Sequence, residues 1–330
     1  MKTYHPKSPC CQAPIRNYGG RRRQCKKCGK TWRIRPRKRG RRPKRIDFQA
    51  LGKTFIHHET ITLRARTQNR LSKEGVSYHF RNALRRTVQG PQIHPSGTGP
   101  TVLLVDGLWF RFHHYPWVLY LMALKPSESN TAWLAEPLLL PGKESAAKWR
   151  QAIRSLPPES LSTVRALVSD GFRGAKRLAA QYRWIHQRCH FHLLAQLQNR
   201  LGRRKRSWED KPLRQAIYTA ISQSLTATAP SHLSKLLAGL SHAIQDPGCP
   251  KRYRMLGRDY LRNVTAFRAY LHHPELHLPA TTSAIESLFK SIRRFTRPLK
   301  SPVALSLWVR SFVRICPRFT CNGKNINQIS

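Results

Sequence analysis

Three carboxylates stand where carboxylates are costly. Asp106 closes the apolar run Thr101-Val-Leu-Leu-Val105. Asp170 follows Val164-Arg-Ala-Leu-Val-Ser169. Glu286 lies within Thr281-Thr-Ser-Ala-Ile-Glu-Ser-Leu-Phe-Lys290. A lone carboxylate beside apolar strands is expensive and persists when it is paired or metal-bound. Each Asp precedes a Gly, and Asp-Gly after a strand is also ordinary turn chemistry. The chain holds only 15 Asp+Glu against 61 Lys+Arg, so two such acids favour a shared metal site over two unrelated turns. Glu286 has a plainer use as the i, i+4 partner of Lys290, worth about 0.2–0.5 kcal/mol.

A second set of chemical groups is sulfur. Cys25-x2-Cys28 is a metal knuckle: a short turn aims two thiolates at one ion, and Zn²⁺ takes four such ligands tetrahedrally. Its partner knuckle is irregular, because Cys10 and Cys11 are adjacent and Ser8 stands where a C-P-x-C knuckle has its first Cys. Cys11 is expected to ligate, with Cys10 or His5 supplying the fourth ligand. A disulfide or free thiols are the alternatives, disfavoured because no secretion signal precedes them. Such a zinc would be structural. Further on, Cys189-x2-His192 has no two further ligands nearby in sequence, which favours a structural or DNA-proximal role over metal binding. His190 between them is a weak candidate for a phosphate contact.

The composition limits what these groups can serve. A formal charge of +46 on a chain that is 40% hydrophobic excludes a disordered basic tail and calls for a polyanionic partner, nucleic acid first. The longest apolar stretch, Trp117–Leu124, is far short of a membrane span, and the first residues lack a signal-peptide core. Residues 1–46 carry 18 Lys/Arg and no acid.

The elements follow from pattern. Residues 1–35 form the zinc ribbon and 36–46 a basic linker. There Arg37, Lys38, Arg39, Arg41 and Arg42 would lie along phosphates or in a minor groove. Residues 47–90 read as a helix-turn-helix: Ser72–Gly75 is a turn, and Val76, Phe80, Leu84 and Val88 recur at helix spacing. Arg81 and Arg85 lie off that stripe, free to face DNA. Residues 100–312 form an α/β body, with strands at 101–105, 117–124, 131–140, 164–168 and 184–186 and helices at 144–156 and 172–182. Residues 200–280 are a helical, basic and aromatic insertion, in which Trp208 is a buried or base-stacking indole. Ile285, Leu288, Phe289 and Ile292 stripe the Glu286 helix, and Arg293, Arg294 and Arg297 follow. Residues 313–330 form a tail, frayed from 319 on.

VLLVDG at 102–107, LVSDG at 167–171, Cys189-x2-His192 and TTSAIESLFKSIRR at 281–294 together resemble the DDE transposases of bacterial insertion sequences. The Mutator-allied group is the most similar. The acids are separated by 64 and 116 residues, the latter gap leaving room for the helical insertion. Ser283 stands where that family often has Asn, and Phe289 where a polar residue is frequent. The resemblance implies an RNase H-like core in which Asp106, Asp170 and Glu286 hold Mg²⁺ or Mn²⁺. It implies a transposase that binds terminal inverted repeats and target DNA as a homo-oligomer, then cleaves and transfers strands. Such a protein works in the cytoplasm, associated with the nucleoid. The alternatives are a non-mobile nuclease or integrase of the same core, and a domesticated zinc-dependent DNA-binding regulator.

Overall fold

The computed structural model describes residues 7–19, 22–33, 73–90, 92, 99–200, 211–297 and 299–321. The chain divides into two units, Met1–Asp47 and Phe48–Ser330. The basic linker residues Arg37, Lys38, Arg39, Arg41 and Arg42, His5, the expected helices of 47–72, and Trp208 lie outside the described residues.

The first unit is a three-stranded antiparallel meander of β1 (Ile15–Asn17), β2 (Arg22–Cys25) and β3 (Thr31–Arg33). Its strands are too short to bury an apolar core. Among the described residues of this unit only Ser8 and Cys25 are buried.

The second unit begins, in the described residues, with α1 (Lys73–Gln89). Lys73, Glu74 and Gly75, expected in a turn, are its first residues. The stripe is real, and it packs on the body's own last helix. Phe80 lies 4.9 Å from Trp308 between ring centroids, and Ser311 donates to the Leu84 carbonyl. Arg81 and Arg85 are exposed, as their off-stripe positions required.

The body is built on a seven-stranded mixed sheet. β4 (Thr101–Phe112) and β5 (Tyr115–Pro126) form a long antiparallel hairpin. Its turn, His113-His114, has both residues at positive φ (48° and 65°), the twist that a two-residue hairpin requires. β6 (Thr131–Leu134) and β7 (Leu138–Pro141) pair with β5. The single strand expected over 131–140 is two, split by Ala135-Glu136-Pro137, because Pro137 has no N–H for a ladder. After α2 (Ala146–Arg154) and α3 (Pro158–Thr163), the chain crosses to β8 (Val164–Ser169), parallel to β4. A further helix, α4 (Ala175–Gln181), leads to β9 (Ile185–Arg188), parallel to β8.

Leu103, Val105, Val118, Tyr120, Met122 and Leu167 on one face of this sheet enclose Trp149, Ile153 and Leu178 from the helices. The helical region comprises α5 (His190–Arg200), α6 (Lys211–Thr226), α7 (Pro230–Gln245) and α8 (Lys251–Phe267). It has its own core around Ile217, Ile221, Tyr253, Tyr260 and Phe267. A short helix, α9 (Ala269–His272), and a 3₁₀ turn lead to α10 (Ser283–Thr296) and α11 (Pro302–Ile315).

The segment after 312, read as a tail, is structural as far as residue 321. β10 (Arg318–Thr320) pairs with β6 and forms one edge of the sheet. Arg314 donates to Glu136, and Arg310 pairs with the same carboxylate, so the final helix is tied to the β6–β7 break.

Candidate active site

Register brings the two aspartates together. Leu104 of β4 pairs with Val168 of β8 in parallel, so two residues further on Asp106 and Asp170 reach the same level. Asp106 is inside β4, which continues to Phe112; its carboxylate does not end a strand. Asp170 is the first residue past β8, where Gly171 takes φ +86° and Phe172 N–H donates to Asp170 Oδ1 at 2.9 Å. Turn chemistry therefore explains Gly171 and not Gly107, whose backbone is ordinary strand.

α5 follows directly. Cys189 N–H donates to the Ser169 carbonyl at 2.8 Å, and α5 starts at His190 beside the Asp170 turn. His190 is fully buried and bonded to the Phe267 carbonyl; burial drives its pKa down to about 4. It is a neutral core donor, and this removes it as a phosphate contact. Two residues on, His192 points at the acids: Nε2 is 3.0 Å from Glu286 Oε1 and 3.9 Å from Asp106 Oδ2.

Glu286 arrives from α10, and the loop before that helix is pinned to α5. His190 N–H donates to the Ala280 carbonyl, and Thr282 gives both its N–H (3.1 Å) and its hydroxyl (3.2 Å) to Cys189 Sγ. Glu286 thus meets His192 and not Lys290, which is exposed on the same helix. The C-x2-H motif has a physical role here: the Cys holds the Glu helix and the His touches the Glu. Counting ligands near it in sequence missed this, because its partners come from residues 106, 170 and 286.

Ligand atoms of Asp106, Asp170 and His192 all lie within 4.8 Å of one another. Asp106 is 3% exposed. Its Oδ1 accepts from the Gly107 N–H at 2.8 Å, while Oδ2 is buried with no hydrogen-bond partner among the described residues. Burial pushes the Asp106 carboxyl well above the usual carboxylate range. His192 opposes that shift, and Glu286 and Asp170 add to it. The hydrogen bond from His192 holds Glu286 below its ordinary value, although burial works the other way. Burial disfavours the His192 imidazolium, yet Cys189 and Glu286 beside it raise its pKa. Two carboxylates and one imidazole at this spacing, with one carboxylate oxygen free of any hydrogen bond, form a donor set that could hold a divalent cation.

Residues 138–301, about half of the chain, match the family described as Transposase, Mutator family. The chain belongs to the Mutator-allied transposases. The matched segment contains Asp170, Cys189, His192 and Glu286, and Asp106 precedes it. No curated protein matches the chain. Among solved structures, the chain is loosely similar to the Drosophila P element transposase strand transfer complex. That likeness has 11% identity and a TM-score of 0.41, and covers 88% of this chain and 94% of that one. A second loose likeness is to the simian T-cell lymphotropic virus intasome in complex with PP2A regulatory subunit B56 gamma. There the identity is 13% and the TM-score 0.22, over 63% of this chain and 74% of that one.

The transposase has a separate thiol cluster in its first unit. The Sγ atoms of Cys10, Cys11, Cys25 and Cys28 all lie within 4.8 Å of one another, with Cys10 and Cys28 at 3.4 Å. Four thiolates about 2.3 Å from one zinc stand about 3.8 Å apart, so the set fits a tetrahedral Zn²⁺. Cys10 and Cys11 both reach the cluster because the chain turns sharply after them: Gln12 takes φ +50° and Ser8 accepts the Gln12 N–H on its carbonyl. A hydrogen bond with Ser8 and the Cys28 backbone N–H lower the Cys25 thiol to about 6.

Proposed function

We propose that this transposase binds double-stranded DNA at terminal inverted repeats and at its target. It then cleaves and transfers strands at Asp106, Asp170 and Glu286 on an RNase H-like core. The observation that carries this reading is the meeting of Asp106, Asp170 and His192, whose ligand atoms lie within 4.8 Å of one another, with Glu286 Oε1 3.0 Å from His192 Nε2 and Asp106 Oδ2 buried without a hydrogen bond. The sheet order supports the fold: an antiparallel β4–β5–β6 meander, with β8 and β9 added in parallel on the other side of β4.

Asp106, Asp170 and Glu286 would hold Mg²⁺ or Mn²⁺, and His192 lies within reach of the same ions. When bound, a pair of such ions activates the attacking water or 3′-hydroxyl and stabilises the leaving 3′ oxygen. The chain's own part is positioning. Register sets Asp106 level with Asp170, the Cys189–Thr282 clamp fixes the Glu286 helix, and exposed Arg293, Arg294 and Arg297 follow Glu286 to hold phosphate.

The four thiols would hold a structural Zn²⁺ that staples the ribbon, and the basic linker and α1 with Arg81 and Arg85 would add phosphate contacts. The protein would act as a homo-oligomer on DNA, in the cytoplasm at the nucleoid. Among the described residues no helix is long and apolar enough to cross a membrane.

The test is Mg²⁺-dependent cleavage of an end-containing duplex by Asp106→Asn, Asp170→Asn and Glu286→Gln, with binding assayed in parallel. Cleavage should fall by at least about a hundredfold while binding survives. Full cleavage by any variant removes that residue from the site. Full cleavage by all three overturns the site, whereas binding without cleavage by the unaltered chain leaves the DNA-binding regulator as the reading.

A further inference from the structure

A fourth carboxylate lies by the site, and it explains a glycine that turn chemistry does not. Gly107 follows Asp106 inside β4, with no positive φ to require glycine. What it requires is space. A Cβ placed there would meet Glu144 Oε1 at 2.9 Å, its Cδ at 3.2 Å and Oε2 at 3.4 Å. The Glu144 carboxylate therefore lies against the strand on the face opposite Asp106 and one residue further along, since successive side chains alternate.

Glu144 is not there by looseness. It stands just before α2, and Trp149 Nε1–H of the next turn donates to its Oε1 at 2.7 Å. Trp149 is fully buried between Tyr120 and Phe172, so that donor cannot move away. A half-buried acid held by a fully buried indole is an unusual placement in so acid-poor a chain. Burial pushes the Glu144 carboxyl up; the Trp149 bond pulls it back, and the nearby Asp170 charge pushes it up again. Beyond Leu104 the ladder between β4 and β8 has ended, so at the level of Asp106 and Asp170 no strand pairing screens one face of β4 from the other on that side.

We propose that Glu144 is a positioning residue of the catalytic centre. It supplies a fourth negative charge that helps draw and orient the hydrated divalent cations held by Asp106 and Asp170, and Gly107 is glycine to admit it. This inference rests on the metal-site reading above and adds a residue to it. Glu144 would not be a direct ligand. It acts through charge and through the waters around the ions, as carboxylates beyond the ligands of a metal site do.

The experiment uses the full chain and Mn²⁺ alone as the probe, with affinity read by calorimetry and folding by melting temperature. Glu144→Gln keeps an oxygen that accepts the Trp149 N–H and removes only the charge. It should melt like the unaltered chain and bind Mn²⁺ about tenfold more weakly. Glu144→Asp, which retains the charge, should recover most of that loss. Glu144→Ala should lose affinity and also melt lower. Unchanged Mn²⁺ affinity in Glu144→Gln, with the Ala variant merely less stable, would reduce Glu144 to a helix anchor and overturn the proposal. If the Gln variant fails to fold, the comparison of Asp with Ala decides: equal affinities in those two also overturn it. Asp106→Asn keeps the two readings apart. If it binds Mn²⁺ normally, the metal site itself is wrong; if it fails while Glu144→Gln is normal, only the role of Glu144 falls.

Discussion

Asp106 is held against its own charge. Its folded-state pKa is raised, so between the ordinary carboxylate range and that raised value the folded chain binds the proton more tightly than the unfolded chain does. The Asp106 contribution to stability therefore falls as pH rises through that window. Asp106→Asn removes the buried charge and keeps the shape. With chelator present at pH 7 it should melt above the unaltered chain, at about 2–4 °C per kcal/mol gained, and the gap should close as the pH falls to about 4. A differential melt across pH checks this. An Asn variant that melts lower at pH 7 would mean that His192 fully compensates the carboxylate. On the metal-site reading proposed above, the fold tolerates a buried carboxylate oxygen without a hydrogen bond for the sake of the cation it would hold.

The elements differ in what holds them. The first unit has strands of three or four residues and a single buried thiol in place of a core, so on the zinc reading proposed above its metal binding and its folding would be the same event. Cys25→Ser or Cys28→Ser should release zinc, collapse the dispersion of the ribbon amides in an NMR spectrum and weaken end binding. Undiminished zinc content in either variant would remove that Cys from the ligand set. The body has its own apolar core, and much of it was legible: Ala166–Val168 and Trp117–Leu124 are apolar runs, and such runs mark strands covered on both faces. What misled was Asp106-Gly107. Asp-Gly is turn chemistry, so the strand seemed to end there, whereas the real turn uses two histidines that carry no turn signal. The reason for Gly107 lies 37 residues away at Glu144, and no local pattern records such a contact. The thiol cluster was readable because its cysteines come in two pairs close in sequence. The meeting of His192 with Glu286 was not, because a loop clamp makes it.

At the scale of the molecule the charge of +46 dominates. Arg81, Arg85, Arg293, Arg294 and Arg297 are all exposed, so that much of it is available to phosphate. If six to ten phosphates are neutralised, affinity for duplex DNA should fall about 10³–10⁵-fold between 50 and 200 mM salt. Fluorescence anisotropy on a labelled end duplex measures this; a shallow slope would mean that few of these cations touch the backbone.

The order in which the site is assembled has a consequence during synthesis. The ribbon, the basic linker, Asp106 and Asp170 all leave the ribosome before α10 exists, and the sheet edge at β10 comes later still. At about 5–20 residues per second, Glu286 trails Asp170 by on the order of ten seconds. On the reading proposed above, a nascent chain has its DNA-binding head before its third carboxylate, so it could hold DNA near the ribosome for those seconds without being able to cut it.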